Sequence, residues 1–165
     1  MSKTLKRILL GLLIVVVAIQ FVRPNRSTPP LNAGIDFLTL VSPPADVTNT
    51  LKAACYDCHS YETKYPWYAN VAPVSWWIGN HISEGREHLN FSEWGKYTID
   101  RQAHKAEETH EEVAEGHMPL TSYPPLHPEA RLTDAQREQL ITFFKNLEEE
   151  LKSIPPMPQL PAENQ

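Results

Sequence analysis

Cysteine and glycine are scarce in this chain, and several common sequence patterns are missing from it. Only two of the 165 residues are cysteines, Cys55 and Cys58, so neither thiol has any other cysteine to pair with. The six glycines do not form a phosphate-binding loop. No segment alternates apolar and polar residues as a half-buried strand does, and no internal repeat is present. We therefore predict an all-α fold.

Acidic residues are absent from the N-terminal part of the chain, whereas basic residues are not. The first carboxylate is Asp36, and five of the fifteen lysines and arginines lie at or before Arg26. The residues after Arg26 carry ten basic and twenty acidic side chains, a formal charge of −10. Such a surface repels nucleic acid, so we expect no nucleic-acid partner. It would either steer the protein toward a basic partner or serve solubility alone.

The N-terminal segment has the pattern of an export signal. An uncharged, mostly apolar run at residues 8–22 lies between basic residues on both sides, namely Lys3, Lys6, Arg7, Arg23 and Arg26. The run falls short of the roughly 20 residues that span a bilayer comfortably, and no good cleavage site follows it. We predict an uncleaved single-pass anchor over residues 1–23 in a bacterial cytoplasmic membrane, with the domain on the periplasmic side. The alternative is a buried core helix.

Proline content divides the rest of the chain. Residues 24–45 contain five prolines and are predicted as an extended tether, although residues 35–41 are apolar enough to dock on the domain surface. Residues 46–152 are predicted to form the domain, and residues 153–165 a Pro-rich tail. Helical spacing of apolar residues predicts helices in the domain at 47–54, 74–89, 100–115 and 133–151.

The two cysteines belong to the segment Cys55-Tyr56-Asp57-Cys58-His59, which has the C-x-x-C-H pattern of c-type haem attachment. Each thiol would form a thioether with a haem vinyl group, and His59 would be the proximal ligand of the iron. A redox dithiol or a disulfide needs only C-x-x-C and usually lies beside a βαβ pattern, which this chain lacks. A zinc site would need further ligands at suitable spacing. We predict one covalent haem c.

A second axial ligand is expected downstream of this motif. Met118 lies in a loop between two predicted helices, the order found in small cytochromes c, and is predicted as the distal ligand. His117 is its immediate rival, and a core position for Met118 is the alternative. Four further histidines are predicted as surface or pocket residues rather than as a second metal site: His81, His88, His104 and His110.

Aromatic residues cluster just after the motif, and all four tryptophans lie between Trp67 and Trp94. We predict that four of these aromatic side chains form pocket walls that exclude water from the haem: Trp67, Tyr68, Trp76 and Trp77. Core packing unrelated to a cofactor is the alternative. Arg86 and Asn90 are predicted to bind haem propionates, with an exposed arginine as the alternative for Arg86.

The sequence resembles the bacterial haem-binding domain family of small exported proteins with one C-x-x-C-H-S motif. The resemblance spans the chain from Val47 to Leu147 and is carried by residues 52–60, 65–68, 71–76, 84–94, 115–120 and 127–133. It implies a cytochrome c-like helical domain with covalent haem at Cys55, Cys58 and His59. It also places Met118 at the family's G-x-M-P position. It implies no established enzymatic activity.

Three functional hypotheses follow from these observations. The first is a membrane-tethered monohaem cytochrome that transfers single electrons to an unidentified redox partner and is not an enzyme. The second is a haem enzyme or a gas or redox sensor with an open distal site, for which a peroxidase-like reaction would need His117 as the acid–base group. The third is a haem-free module with a Cys55–Cys58 disulfide.

Overall fold

The computed structural model describes residues 2–155, and every regular element within them is helical. Seven α-helices follow one another: α1 Lys3–Ile19, α2 Phe37–Val41, α3 Ala45–Ala54, α4 Tyr56–His59, α5 Val74–His88, α6 Ile99–Ala114 and α7 Asp134–Ser153. Short 3-10 turns occur at Ala33–Ile35, Trp67–Asn70, Phe91–Lys96 and Pro128–Ala130. The all-α prediction is confirmed for this part of the chain. The predicted tail at 153–165 lies largely outside the described residues.

The centre of the core is the contact between α6 and α7, the most extensive helix pair in the described part of the fold. Helix α6 buries mostly small side chains on this face: Ala103, Ala106 and Val113. Helix α7 buries large ones: Leu140, Phe144, Leu147 and Leu151. Because alanines on one helix leave room for bulky residues on the other, the two helices can pack closely. Helix α7 begins with the capping box that Thr133 and Gln136 form.

Phe37 lies in the core, within the apolar segment 35–41 that was predicted to dock on the domain surface. The Asp36 carboxylate accepts the Leu38 N–H at 2.9 Å and starts α2. The Phe37 side chain is 0% exposed and packs against three aromatic rings, with centroid distances of 5.0 Å to Phe91, 4.8 Å to Trp94 and 5.8 Å to Phe144. This short helix therefore completes the core rather than docking on its surface.

Helix α1 stands apart from this core. Its N-terminus is capped by Ser2, and none of its residues is buried, so the alternative of a buried core helix is wrong. Within residues 2–155, no helix has both the length and the apolar character needed to cross a membrane.

The residues that follow α1 are hydrogen-bonded to the domain, both at the end of the predicted anchor (Gln20 and Val22) and at the start of the predicted tether (Arg26). The Gln20 side chain donates to the Ala72 carbonyl at 3.2 Å and accepts the Ala72 N–H at 2.9 Å. The Trp76 indole N–H donates to the Val22 carbonyl at 2.7 Å. Arg26 donates to the Asn70 side chain and the Ala69 carbonyl. Composition could not predict these hydrogen bonds because each one joins residues that are more than forty positions apart in the sequence.

Candidate functional site

The cysteine motif forms a single helical turn directly after α3. The chain leaves α3 at Cys55, whose φ is −125°, and the His59 N–H then donates to the Cys55 carbonyl at 2.9 Å. Cys55 and Cys58 therefore lie three positions apart at one turn, where side chains share a face. Tyr56 anchors the turn from its other side, because it is 3% exposed and its ring stacks on Phe91 at 5.1 Å. The predicted helix at 47–54 thus ends where expected, and a separate turn of helix carries the motif.

Both thiols lie in a poorly solvated environment, and neither is in a disulfide. Burial, with a smaller contribution from Cys58, raises the pKa of Cys55 to about 12. Burial and the neighbouring Asp57 carboxylate raise the pKa of Cys58 to about 11. Redox-active dithiols depend on a thiolate with a lowered pKa, so this environment disfavours that alternative. At neutral pH the motif presents two protonated thiols.

The imidazole of His59 is held in one orientation by the backbone. Its Nδ1 lies 3.0 Å from the Leu89 carbonyl oxygen, which can only accept, so Nδ1 carries the proton. Burial lowers the pKa of His59 below its ordinary value, which favours the neutral ring. The lone pair is then on Nε2, the arrangement in which histidine ligates a metal ion.

A cavity of about 500 Å³ opens beside the motif, within the range of roughly 300–1,000 Å³ that small-molecule and cofactor sites occupy. Cys55, Cys58 and His59 line it together with the Met118 side chain. Much of the remaining lining is apolar, for example Ile78, Ile82, Phe91, Leu132 and Leu140. An imidazole, a thioether and two thiols around a largely apolar cavity are the donor set that a covalently attached haem requires, so these residues fit that group.

The structure separates the two rival distal residues. Met118 is half-buried, packs against the hydrophobic core and lines the cavity. Helix α6 ends just before it, and the chain turns at Gly116 with a φ of +78°, a left-handed conformation that glycine adopts without strain. The His117 side chain is 62% exposed and pairs with Glu112 and Glu115 at 3.4 and 3.3 Å. His117 does not line the cavity, so the geometry favours Met118.

Two of the four aromatic residues predicted as pocket walls line the cavity, and two do not. Tyr68 and Trp77 contribute to its lining. Trp67 is 78% exposed, and the Trp76 indole is bound to the Val22 carbonyl of the N-terminal segment, so both are corrections to the prediction. Successive positions of a turn or helix point in different directions, and sequence proximity to the motif cannot distinguish them.

Arg86, which was predicted to bind a haem propionate, instead forms hydrogen bonds within the protein. Its Nε donates to the Ser60 carbonyl and its Nη2 to the Thr63 hydroxyl, both at 2.8 Å, and it does not line the cavity. It therefore braces the segment that follows the motif. Asn90 is buried and accepts the Ser92 N–H at 3.1 Å, which starts the 3-10 turn at Phe91–Lys96.

The remaining histidines do not assemble into a second metal site. His81 and His88 line the cavity, whereas the His104 side chain is 60% exposed beside Glu107 and Glu108. His110 is buried and bonded to Glu148 at 2.7 Å, which joins α6 to α7. Among residues 2–155 no three His, Cys, Asp or Glu side chains are grouped to hold a metal ion.

A hydrogen-bonded group at the cavity wall was not predicted from the sequence. The Tyr123 hydroxyl donates to the Asp57 carboxylate at 2.6 Å, and its ring stacks on His127 at 4.2 Å. The Tyr68 hydroxyl lies 2.6 Å from His127 Nε2. These contacts fasten the loop after Met118 to the cysteine motif. The sequence shows only that Tyr123 and His127 are four residues apart in a proline-rich loop. This spacing does not indicate that they bind Asp57 and Tyr68.

Gly85 sets the distance between α5 and the motif. A Cβ atom added there would lie 3.1 Å from the Cys58 carbonyl oxygen and 3.5 Å from Cys58 Cβ. We expect Gly85→Val to lower the free energy of unfolding by about 1–3 kcal/mol and to reduce the haem content of the purified protein, because the larger side chain forces α5 away from the motif.

The matched control for this change is Ser83→Val on the exposed side of the same helix. It should stay within about 0.5 kcal/mol of the unsubstituted protein, since exposed positions tolerate substitution. Chemical denaturation and absorbance per mole of protein measure the two effects. Equal stability and haem content in both variants would contradict the close approach at Gly85.

A known protein family matches most of this chain. The model of the haem-binding domain family matches residues 14–146, which include the cysteine motif, Met118 and most of α7. No curated protein and no solved structure matches the chain. The match covers well over half of the sequence and confirms the predicted resemblance. The chain therefore belongs to the haem-binding domain family.

Proposed function

We propose that this protein is a monohaem c-type cytochrome that transfers single electrons. The observation that carries the proposal is the hydrogen bond from His59 Nδ1–H to the Leu89 carbonyl, which leaves the lone pair of the neutral ring on Nε2, in a motif with two free thiols. The three residues line one cavity with the Met118 thioether. Membership of a haem-binding family identifies the class of cofactor, and the C-x-x-C-H motif supports its covalent attachment.

The residues of the chain have separate tasks in this proposal. Cys55 and Cys58 tether the macrocycle, His59 supplies a neutral imidazole lone pair, and Met118 supplies a thioether. The bound haem would carry one electron by changing its iron between the ferric and ferrous states. The apolar lining keeps water from the cavity, and axial ligands and burial are the protein's means of tuning the potential.

The enzyme alternative is less well supported. It depended on His117 as an acid–base group, and that side chain is exposed and outside the cavity lining. His127 does line the cavity. However, its Nε2 is hydrogen-bonded to the Tyr68 hydroxyl, and its Nδ1 lies 3.3 Å from the Glu129 carboxylate. Both ring nitrogens of His127 therefore already have partners within the protein.

We also propose that the protein is associated with the outer face of a bacterial cytoplasmic membrane. All of α1 is solvent-accessible although it is apolar, and basic residues flank the apolar run on both sides. The formal charge of −10 on the residues after Arg26 would suit a redox partner with a basic face.

The function is tested by a potentiometric titration of the full chain, expressed with a cytochrome c maturation system and followed by absorbance. We expect one reversible single-electron step, low-spin iron in both states and a sulfur-to-iron band in the ferric form. A five-coordinate, high-spin ferrous form that binds carbon monoxide rapidly would overturn the electron-carrier proposal and favour an enzyme or sensor.

A further inference from the structure

We infer that one face of the domain lies in the headgroup region of the bilayer, with Trp67 and Trp77 as its aromatic anchors. This junction face consists of Phe21, Trp67, Val71, Val74 and Trp77, at the place where the segment after α1 meets the domain. The inference rests on the proposed membrane association and adds the surface and the orientation by which the domain contacts lipid.

The orientation of the domain relative to the end of α1 is fixed by short-range contacts. Gln20 and Ala72 form a reciprocal pair of hydrogen bonds, and the Arg26 guanidinium lies 4.2 Å from the centre of the Tyr65 ring. A Cβ added at Gly79 would lie only 2.8 Å from Pro24 Cβ, so the two segments touch directly. Wherever α1 enters lipid, the residues beside this junction must therefore lie close to the bilayer.

The junction face is apolar and exposed to an unusual degree. Phe21 is 82% exposed and Trp67 is 78% exposed, and the exposed fractions of the other three side chains are 44% for Val71, 41% for Val74 and 50% for Trp77. Contiguous exposed apolar residues on a folded domain mark interaction surfaces. Tryptophan is the residue that favours the membrane–water interface, because its ring is apolar and its indole N–H needs a polar partner.

Charge distinguishes this face from the rest of the domain. The two stretches of chain that form it, residues 1–35 and 63–83, contain no aspartate or glutamate. Arg26 lies next to it, because its guanidinium donates to the Asn70 side chain and the Ala69 carbonyl. Anionic headgroups attract basic residues near the surface and repel carboxylates, so the acidic remainder of the domain would face away from the bilayer.

The orientation has a consequence for the cavity. Trp77 belongs to the junction face and also lines the cavity beside the cysteine motif. A domain that rests on this face therefore holds one edge of the cavity against the membrane surface, and partners dissolved in the aqueous phase would approach the other edges.

The test uses the full chain bound to vesicles of phosphatidylethanolamine and phosphatidylglycerol, with hydroxyl-radical footprinting read by mass spectrometry. We expect Trp67 to be oxidised severalfold more slowly than its exposure predicts, relative to Leu40, which is 51% exposed and outside both the junction face and the cavity lining. In a Val71→Glu/Val74→Glu variant, carboxylates should lift the face from the lipid and restore Trp67 oxidation. An Ile99→Glu/Ile154→Glu control, at positions 38% and 43% exposed, should leave Trp67 protected.

The outcomes separate this inference from the membrane proposal. Failure of the protein to float with the vesicles would overturn the proposed membrane association and the junction face with it. Flotation with unprotected Trp67 in the unsubstituted chain would overturn the junction face alone. Equal Trp67 protection in vesicle-free protein that sediments as a dimer would also overturn it, because a second copy would then cover the face.

Discussion

Replacing Met118 with leucine is expected to abolish the low-spin spectrum of the protein, whereas His117→Ala should leave that spectrum unchanged. The reason is that Met118 is half-buried in the cavity lining and His117 is exposed in contact with two carboxylates. Loss of the thioether removes the ligand that raises the potential of a histidine–methionine haem, so the potential should fall and carbon monoxide should bind.

Leucine is the informative replacement because Met118 also packs against the core. Leucine has nearly the same volume, so its cost in stability should stay below about 1.5 kcal/mol, and any spectral change reports the missing sulfur. Absorbance spectra of both oxidation states, recorded with a thermal unfolding curve, separate the two effects. A Met118→Leu protein with unchanged spectra, or a His117→Ala protein that becomes high-spin, would remove Met118 from the ligand set.

Phe37→Ala is expected to lower the free energy of unfolding by about 3–5 kcal/mol, which is a large share of the roughly 5–15 kcal/mol that stabilises a typical domain. The side chain is fully buried among Phe91, Trp94 and Phe144, and alanine would leave a cavity there. Phe91 also stacks on Tyr56 of the cysteine motif, so the loss should reach the site. Denaturant unfolding measures the effect.

Two further variants keep this prediction testable if Phe37→Ala fails to fold. Phe37→Leu fills most of the space and should lose a smaller amount in the same direction. Leu31→Ala removes an exposed apolar side chain from the same proline-rich segment and should stay within about 0.5 kcal/mol. If Phe37→Ala were as mild as Leu31→Ala, Phe37 would not belong to the core.

The elements that could be predicted from the sequence are those whose signals are local. The spacing of Leu140, Leu147 and Leu151 and the capping box at Thr133 lie within one helix, and α7 begins and ends close to the predicted residues. The cysteine motif is equally local, because its three chemical groups fall within five consecutive positions. No distant contact is needed to recognise either feature.

The elements that were missed depend on contacts between distant parts of the chain. The pairing of Gln20 with Ala72 and of Trp76 with Val22 spans more than fifty positions. It joins the end of the predicted anchor directly to the domain. Proline content predicts an extended backbone but does not indicate where that backbone docks.

The pocket walls illustrate the same limit at the site. Trp67 and Tyr68 are adjacent in the sequence, yet Tyr68 lines the cavity and Trp67 is 78% exposed. Their difference arises from the 3-10 turn at Trp67–Asn70, which presents neighbouring side chains in different directions. Tyr123 and His127 are joined to the site by hydrogen bonds and stacking rather than by a motif.

The central claim, covalent haem at Cys55 and Cys58, is tested most directly by the intact mass of the denatured full chain after extraction with acidified butanone. A Cys55→Ala/Cys58→Ala variant is the matched control, from which the solvent should extract any haem. We predict that the unsubstituted protein keeps one haem per chain through denaturation and extraction. Two results together would contradict covalent attachment. The unsubstituted protein would lose all of its haem, and its mass would be that of the polypeptide minus the two hydrogens lost in a Cys55–Cys58 disulfide.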